Sequence, residues 1–219
     1  MSEEPYKILF FGDSTCVGQG VSLYKGWVTK IAKEFDGLMT PGGQEICVIN
    51  SSINGRTSRQ ALEDMPYHVQ SQKAGTVIVQ FGLNDCNYWA TDCGVPRVSR
   101  DAFVANIQEI VTRLGKFSVD HVIVNTNHPT TRNKTIMPNT DITYQESNEQ
   151  YNAALRDSAH SFGKNVHLID IEAEFRDCVS DVELPNYLLE DGLHLSELGH
   201  DLYFKKTFGI IKALVLGKK

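Results

Sequence analysis

Short apolar runs rich in β-branched residues alternate along the chain with longer stretches whose apolar positions recur at helical spacing. Residues 8–11 (Ile8, Leu9, Phe10, Phe11) predict a first strand. Trp27, Ile31, Ala32 and Phe35 predict a helix, which the breakers Gly37 and Pro41-Gly42-Gly43 bring to an end. A second strand follows at 46–49 and a polar helix at about 58–68. The run Thr76-Val77-Ile78-Val79-Gln80-Phe81 is apolar almost throughout and suits a strand buried on both faces, the expected sheet centre. Residues 86–98 show no period and read as a loop. Ser99 is placed to cap a helix running to about 114. The pattern continues with a strand at 121–125, a Thr-, Asn- and Pro-rich segment at 127–140, a helix at about 144–162, a strand at 166–170 and a last helix at about 196–215.

Five strands in βα alternation imply an α/β fold. It is expected as a three-layer α/β/α sandwich around a flavodoxin-like five-stranded parallel sheet of order 2-1-3-4-5. No internal repeat or linker interrupts the pattern, so residues 1–219 are expected to form one domain. Ligands in such sheets bind beyond the carboxyl ends of the strands, where the strand order reverses. Residues that directly follow strands are therefore the first candidates for chemistry.

Composition narrows the function classes. With 41% hydrophobic and 22% charged residues the chain is ordinary for a globular protein, which excludes a disordered or fibrous one. The formal net charge of −6 is spread along the chain, which argues against a nucleic-acid partner. No apolar run approaches the ~20 residues of a membrane span. The start, Met1-Ser2-Glu3-Glu4-Pro5, is acidic where a secretory signal is basic and then apolar, so a cytoplasmic location is expected. Five scattered cysteines (Cys16, Cys47, Cys86, Cys93, Cys178) without a C-x-x-C pair read as reduced thiols rather than a disulfide framework or zinc site. The oligomeric state leaves no signal.

Four segments carry candidate chemistry. Gly12-Asp13-Ser14 forms a turn directly after the first strand, which presents Ser14 either as a helix N-cap or as a nucleophile. The nearby Gly18-Gln19-Gly20 lacks the full dinucleotide pattern and the Walker lysine. Gly55 follows the second strand and Asn84 the third, flanking the serine turn in a 2-1-3 sheet. A glycine N–H and an asparagine amide are suitable oxyanion donors, although a turn glycine and a capping asparagine are equally open readings. Before the last helix, Asp191-Gly192-Leu193-His194 spaces a carboxylate to fold back onto the imidazole, or leaves both as solvated loop residues. A metal site there lacks an obvious third ligand.

Taken together and in order, Gly12-Asp13-Ser14, Gly55, Gly82-Leu83-Asn84-Asp85 and Asp191-Gly192-Leu193-His194 resemble the four blocks of the SGNH (GDSL-type) hydrolase family. The resemblance spans residues 8 to about 200. It departs from the commonest pattern at Thr15 and Cys16, where a leucine usually follows the serine, and at Leu83, where glycine is frequent. What the resemblance implies is a serine esterase with Ser14 as nucleophile, His194 as general base and acid, and Asp191 orienting His194. The N–H groups of Ser14 and Gly55 and the amide of Asn84 would then form the oxyanion hole. It implies no cofactor and no metal.

Substrate choice is expected from the loops at 86–98 and 127–140. Tyr88 and Trp89 are candidates to cover a sugar or an acyl chain, and His128, Arg132, Asn133 and Lys134 to meet a polar or anionic group. No broad apolar segment stands ready as a lid, which favours short acyl esters, O-acetyl on a small polar or carbohydrate substrate, over a lipase acting at an oil surface. An acyltransferase, a lysophospholipase or a thioesterase would use the same residues. A non-catalytic binding module on the same fold would not need them, and all are present. Cys16 and Cys86 are expected as buried small hydrophobes rather than reactive thiols.

Overall fold

A computed structural model describes residues 4–217 of the protein. Of the start Met1-Ser2-Glu3-Glu4-Pro5, on which the reading against a leader rested, residues 1–3 lie outside them. Five strands, β1 (Tyr6–Gly12), β2 (Ile46–Asn50), β3 (Thr76–Gln80), β4 (His121–Asn125) and β5 (Val166–Ile169), pair in parallel in the order β2-β1-β3-β4-β5. Helices cover both faces, which gives the α/β/α sandwich and the strand order that the alternation predicts. They are α1 (Ser14–Val17), α2 (Trp27–Phe35), α3 (Ser58–His68), α4 (Arg100–Lys116), α5 (Tyr144–Ser158), α6 (Ile171–Arg176) and α7 (Glu197–Leu216).

The two-residue period of the strands divides the core in two. Leu9, Phe11, Val77, Val79, Val122 and Val124 point to one face and pack with Met65 of α3, Phe103 and Ile107 of α4, and Tyr151 and Leu155 of α5. Ile8, Phe10, Ile78, Ile123 and Ile169 point to the other, against Trp27 and Ile31 of α2, Phe175 of α6, and Tyr203 and Ile211 of α7. In register, Phe10 lies beside Ile78 and Ile78 beside Ile123, so a continuous apolar row crosses the three inner strands. Every residue of β3 is buried, as a central strand covered on both faces requires.

Helix starts follow local chemistry. Thr57 and Thr143 form capping boxes with Gln60 and Glu146, while Ser99 and Ser196 cap α4 and α7. The structure departs from the sequence pattern in three places. The helix expected to reach 162 ends at Ser158 and tightens into a 3-10 turn at Ala159–Ser161. The last strand stops at Ile169 because the Asp170 carboxylate accepts from the N–H of Ala173 and starts α6, a helix too short to show a period. The four-residue α1 is missed for the same reason. Among the described residues no helix is long and apolar enough to cross a membrane.

Ile78 is fully buried at the centre of that apolar row. Ile78→Ala is expected to lower unfolding free energy by roughly 2–5 kcal/mol through lost transfer energy and a residual cavity. Urea denaturation of both proteins checks this, and a loss below that range would mean that the sheet collapses around the gap.

Candidate active site

The carboxyl ends of β1, β2 and β3 bring three short loops together. At the end of β1, Gly12 has no room for a side chain, since a Cβ there would sit 2.7 Å from Cys16 Sγ and 2.9 Å from Gln80 O. The chain can then turn at once into α1. Its N-cap is Asp13, whose Oδ1 accepts from the Thr15 N–H at 2.9 Å, so the capping role read as open for Ser14 belongs to its neighbour. Ser14 is the first residue of the helix, and its N–H has no intrahelical acceptor.

After β2, a turn closed by Arg56 N–H on Ile53 O (3.2 Å) places Gly55 at its third position with φ of 75°, which favours glycine. The Ile53 N–H bonds to Gly12 O at 3.1 Å and ties this turn to the end of β1. After β3, the Asn84 amide nitrogen lies 3.3 Å from Asp13 Oδ2 and 3.2 Å from Arg56 O. Asp85 reaches the other way: its carboxylate accepts from the Ser58 N–H at 2.9 Å and from the Ser58 hydroxyl at 2.5 Å, docking the start of α3 onto this loop.

The fourth segment arrives from far along the chain. Asp191 Oδ1 accepts from the N–H groups of Leu193 (2.9 Å) and His194 (3.0 Å), and Oδ2 lies 2.5 Å from His194 Nδ1. His194 Nε2 lies 3.1 Å from Ser14 Oγ, a contact between residues 180 positions apart. Burial alone raises the Asp191 carboxyl, but the bonds from the His194 ring and the two N–H groups outweigh it and hold the group below the usual carboxylate range. An ionised carboxylate there fixes the imidazole with Nδ1 protonated and Nε2 free to accept the hydroxyl proton. All five expected site residues thus gather at one end of the sheet: Ser14, Asp191 and His194 in one hydrogen-bonded chain, and Gly55 and Asn84 on the two flanking turns.

The surroundings contain residues that the sequence reading did not single out or placed elsewhere. Asp13 and Asp85 are both fully buried, and burial pushes each carboxyl up to about 6 against the hydrogen bonds it accepts. The Arg56 guanidinium is also buried, donating to Ser51 O at 2.9 Å and lying 3.2 Å from Asp64 Oδ2. His128, expected at the substrate loop, instead faces inward with no exposed surface. Its Nε2–H donates to Leu193 O at 2.8 Å and braces the loop that carries Asp191 and His194. Trp89, expected to cover substrate, lies over the Arg97 guanidinium at 4.3 Å. Cys16 and Cys86 are buried, and desolvation pushes both thiols up, as small hydrophobes in the core behave. No single-sequence signal marks His128 or Arg97; only Asp13 and Asp85 sit inside recognisable blocks.

A cleft of about 520 Å³ opens beside Asp191 and Gly192, between the loops after β3 and β4. Its lining includes the apolar side chains of Ile136 and Met137, the ring of Tyr88 and the polar groups of Asn87, Arg132 and Lys134, and it meets the site through Asp191 rather than through Ser14 or His194. Arg132 also donates from Nε to Asp191 O at 2.9 Å.

Sheet order and flanking layers define a three-layer, flavodoxin-like α/β/α sandwich. The chain belongs to the GDSL-like lipase/acylhydrolase family, whose sequence profile matches residues 10–202. Its similarity to an arylesterase of Vibrio mimicus is 31% identity over 84 residues, 38% of this chain and 40% of that protein, so the matched part spans less than half of the curated relative. Among solved structures it resembles a lipase/acylhydrolase from Enterococcus faecalis, with a TM-score of 0.75, 22% identity, and coverage of 98% of this chain and 99% of that one. A catalytic mutant of an acetylxylan esterase from Geobacillus stearothermophilus gives a TM-score of 0.76 at 20% identity, with both chains fully covered.

The brace at His128 has a signature in stability. Burial lowers its pKa from 6.5 to about 4, so as pH falls the unfolded chain takes up the proton first. The contribution to stability is complete above 6.5 and lost as pH falls through 4. Asp13 and Asp85, raised from 3.8 to about 6, act in the opposite sense: their contribution is complete below 3.8 and lost as pH rises through 6. Comparison with a variant therefore isolates the histidine. The Tm of His128→Asn, measured against the unmodified protein, is expected to shift in the variant's favour between pH 7 and about pH 4.5. A difference independent of pH would count against a neutral buried ring.

Proposed function

We propose that the protein is a serine esterase that hydrolyses short acyl esters, O-acetyl groups on a small polar or carbohydrate substrate being the expected kind. The observation that carries this reading is the unbroken chain from Asp191 through His194 to Ser14, at 2.5 and 3.1 Å. In the reaction, His194 Nε2 takes the Ser14 hydroxyl proton while Oγ attacks the ester carbonyl carbon. The negative oxygen that develops is held by the N–H groups of Ser14 and Gly55 and by the Asn84 amide, which gives up one of its two resting acceptors to do so. The imidazolium returns its proton to the leaving alcohol, and the ester C–O bond breaks. Water, deprotonated by the same ring, then attacks the acyl-enzyme and releases the acid and free Ser14.

Support for the substrate class comes from the cleft. At about 520 Å³ it has room for a sugar-sized group, an aromatic wall at Tyr88, and hydrogen-bonding groups at Asn87, Arg132 and Lys134. The family and the arylesterase relative agree with ester hydrolysis.

A serine-reactive fluorophosphonate tests nucleophile activation without knowledge of the substrate. Peptide mass spectrometry is expected to locate the label on Ser14, and labelling is expected to vanish in His194→Ala; a folded protein that takes no label would sink the reading. If the Asn84 amide contributes to the oxyanion hole, Asn84→Ala lowers kcat on p-nitrophenyl acetate by roughly 10²-fold or more. An unchanged kcat would leave Asn84 as a turn residue.

A further inference from the structure

The Asn84 amide nitrogen has two hydrogens, and in the resting structure both have acceptors: Arg56 O at 3.2 Å and Asp13 Oδ2 at 3.3 Å. When an oxyanion forms, one of these bonds must be given up for it, and the amide loses part of what holds its orientation. Besides the one nitrogen bond that is kept, a further hold is on its other end. Arg97 Nη1 lies 3.5 Å from Asn84 Oδ1 and 3.2 Å from Gly55 O. One nitrogen with two hydrogens thus spans the two turns that carry Gly55 and Asn84.

The geometry points to Arg97 as a positioning residue for the oxyanion hole, acting through Asn84 and held in place by the Gly55 carbonyl and by Trp89. The inference rests on the esterase reading given above. A guanidinium only donates hydrogen bonds, so Arg97 is compatible with the Asn84 oxygen and not with its nitrogen, and it keeps Nδ2 turned toward the reacting carbonyl. Its charge also polarises the amide and makes the N–H a stronger donor. Arg97 itself is pinned twice. Its guanidinium stacks on the Trp89 indole at 4.3 Å, and the backbone on either side bonds back to the same loop, Arg97 N–H to Asn87 O at 3.0 Å and Val98 N–H to Asp85 O at 3.2 Å. The loop at 86–98 therefore does more than border the cleft: it returns to brace the turn from which it leaves β3. Lysine would not serve as well, because a single ammonium on a flexible stem neither stacks on the indole nor presents a planar fork.

A double-mutant cycle tests this, with kcat and KM for p-nitrophenyl acetate measured in the unmodified protein, Arg97→Ala, Asn84→Ala and the double variant. Arg97→Ala is expected to lower kcat about tenfold, less than the loss of a donor itself, with KM unchanged. In the Asn84→Ala background the same change is expected to leave kcat within about twofold, since the amide it positions is gone. Arg97→Lys is expected to recover part of the loss. Trp89→Leu, which leaves the arginine but removes its platform, is expected to give a smaller fall in kcat; it keeps the test open if Arg97→Ala does not fold. An equal loss in both backgrounds, a change confined to KM, or no loss in Arg97→Ala while Asn84→Ala is impaired would each overturn the role of Arg97 and leave the esterase reading standing. No loss in Asn84→Ala would overturn the role of Arg97, since there would be no donor to position; no turnover and no label on Ser14 in the unmodified protein would overturn the esterase reading itself.

Discussion

A parallel sheet buried on both faces governs the rest of this structure. Its strands can be joined only by crossovers long enough to return to the same end, and the helices in those crossovers supply the cover that the sheet faces need. The carboxyl ends of β1, β2 and β3 consequently lie side by side. Ser14, Gly55 and Asn84, each in a loop directly after one of these strands, are then neighbours in space, although up to 70 residues separate them in sequence. The final segment, with Asp191 and His194, closes over the same edge before α7 packs against Trp27 and Phe175.

Holding polar groups at that edge has an energetic cost, visible in the buried charges. Asp13 and Asp85 are fully enclosed, and desolvation raises both carboxyls despite the hydrogen bonds they accept. Each nevertheless has a structural task that an apolar residue could not perform. Asp13 caps α1 and sets the turn that carries Ser14, while Asp85 locks the start of α3 to the loop that carries Asn84. His128 spends its buried ring on one carbonyl of the Asp191–His194 segment and leaves Nδ1 without a partner. Stability given up at these positions reappears as fixed geometry around the serine, the usual relation between a preorganised site and its scaffold.

Much of the architecture was legible because sheet burial writes strong local patterns. The apolar runs at β1 and β3 announce strands, and the Ser99 cap announces a helix. Elements shorter than two turns, α1 and α6, escaped because they contain too few residues to display a period. Substrate-loop assignments divided: Tyr88, Arg132 and Lys134 line the cleft, while His128 does not. His128 turned inward and Trp89 took Arg97 as its partner, because a loop side chain goes where its strongest contact lies, and sequence order says little about which contact that is.

Sequence alone pointed to the fold class and to an expected strand order, since periodicity and turn chemistry are local properties that topology then constrains, and its resemblance to the SGNH family singled out the candidate site residues. Tertiary structure alone decided which contacts these residues make. Asp13, not Ser14, caps α1; His194 meets a serine hydroxyl 180 positions away; and Arg97 reaches both the Gly55 turn and the Asn84 loop. Those outcomes depend on distances of a few ångströms between segments remote in the chain, and hydrogen bonds are made or lost on that scale.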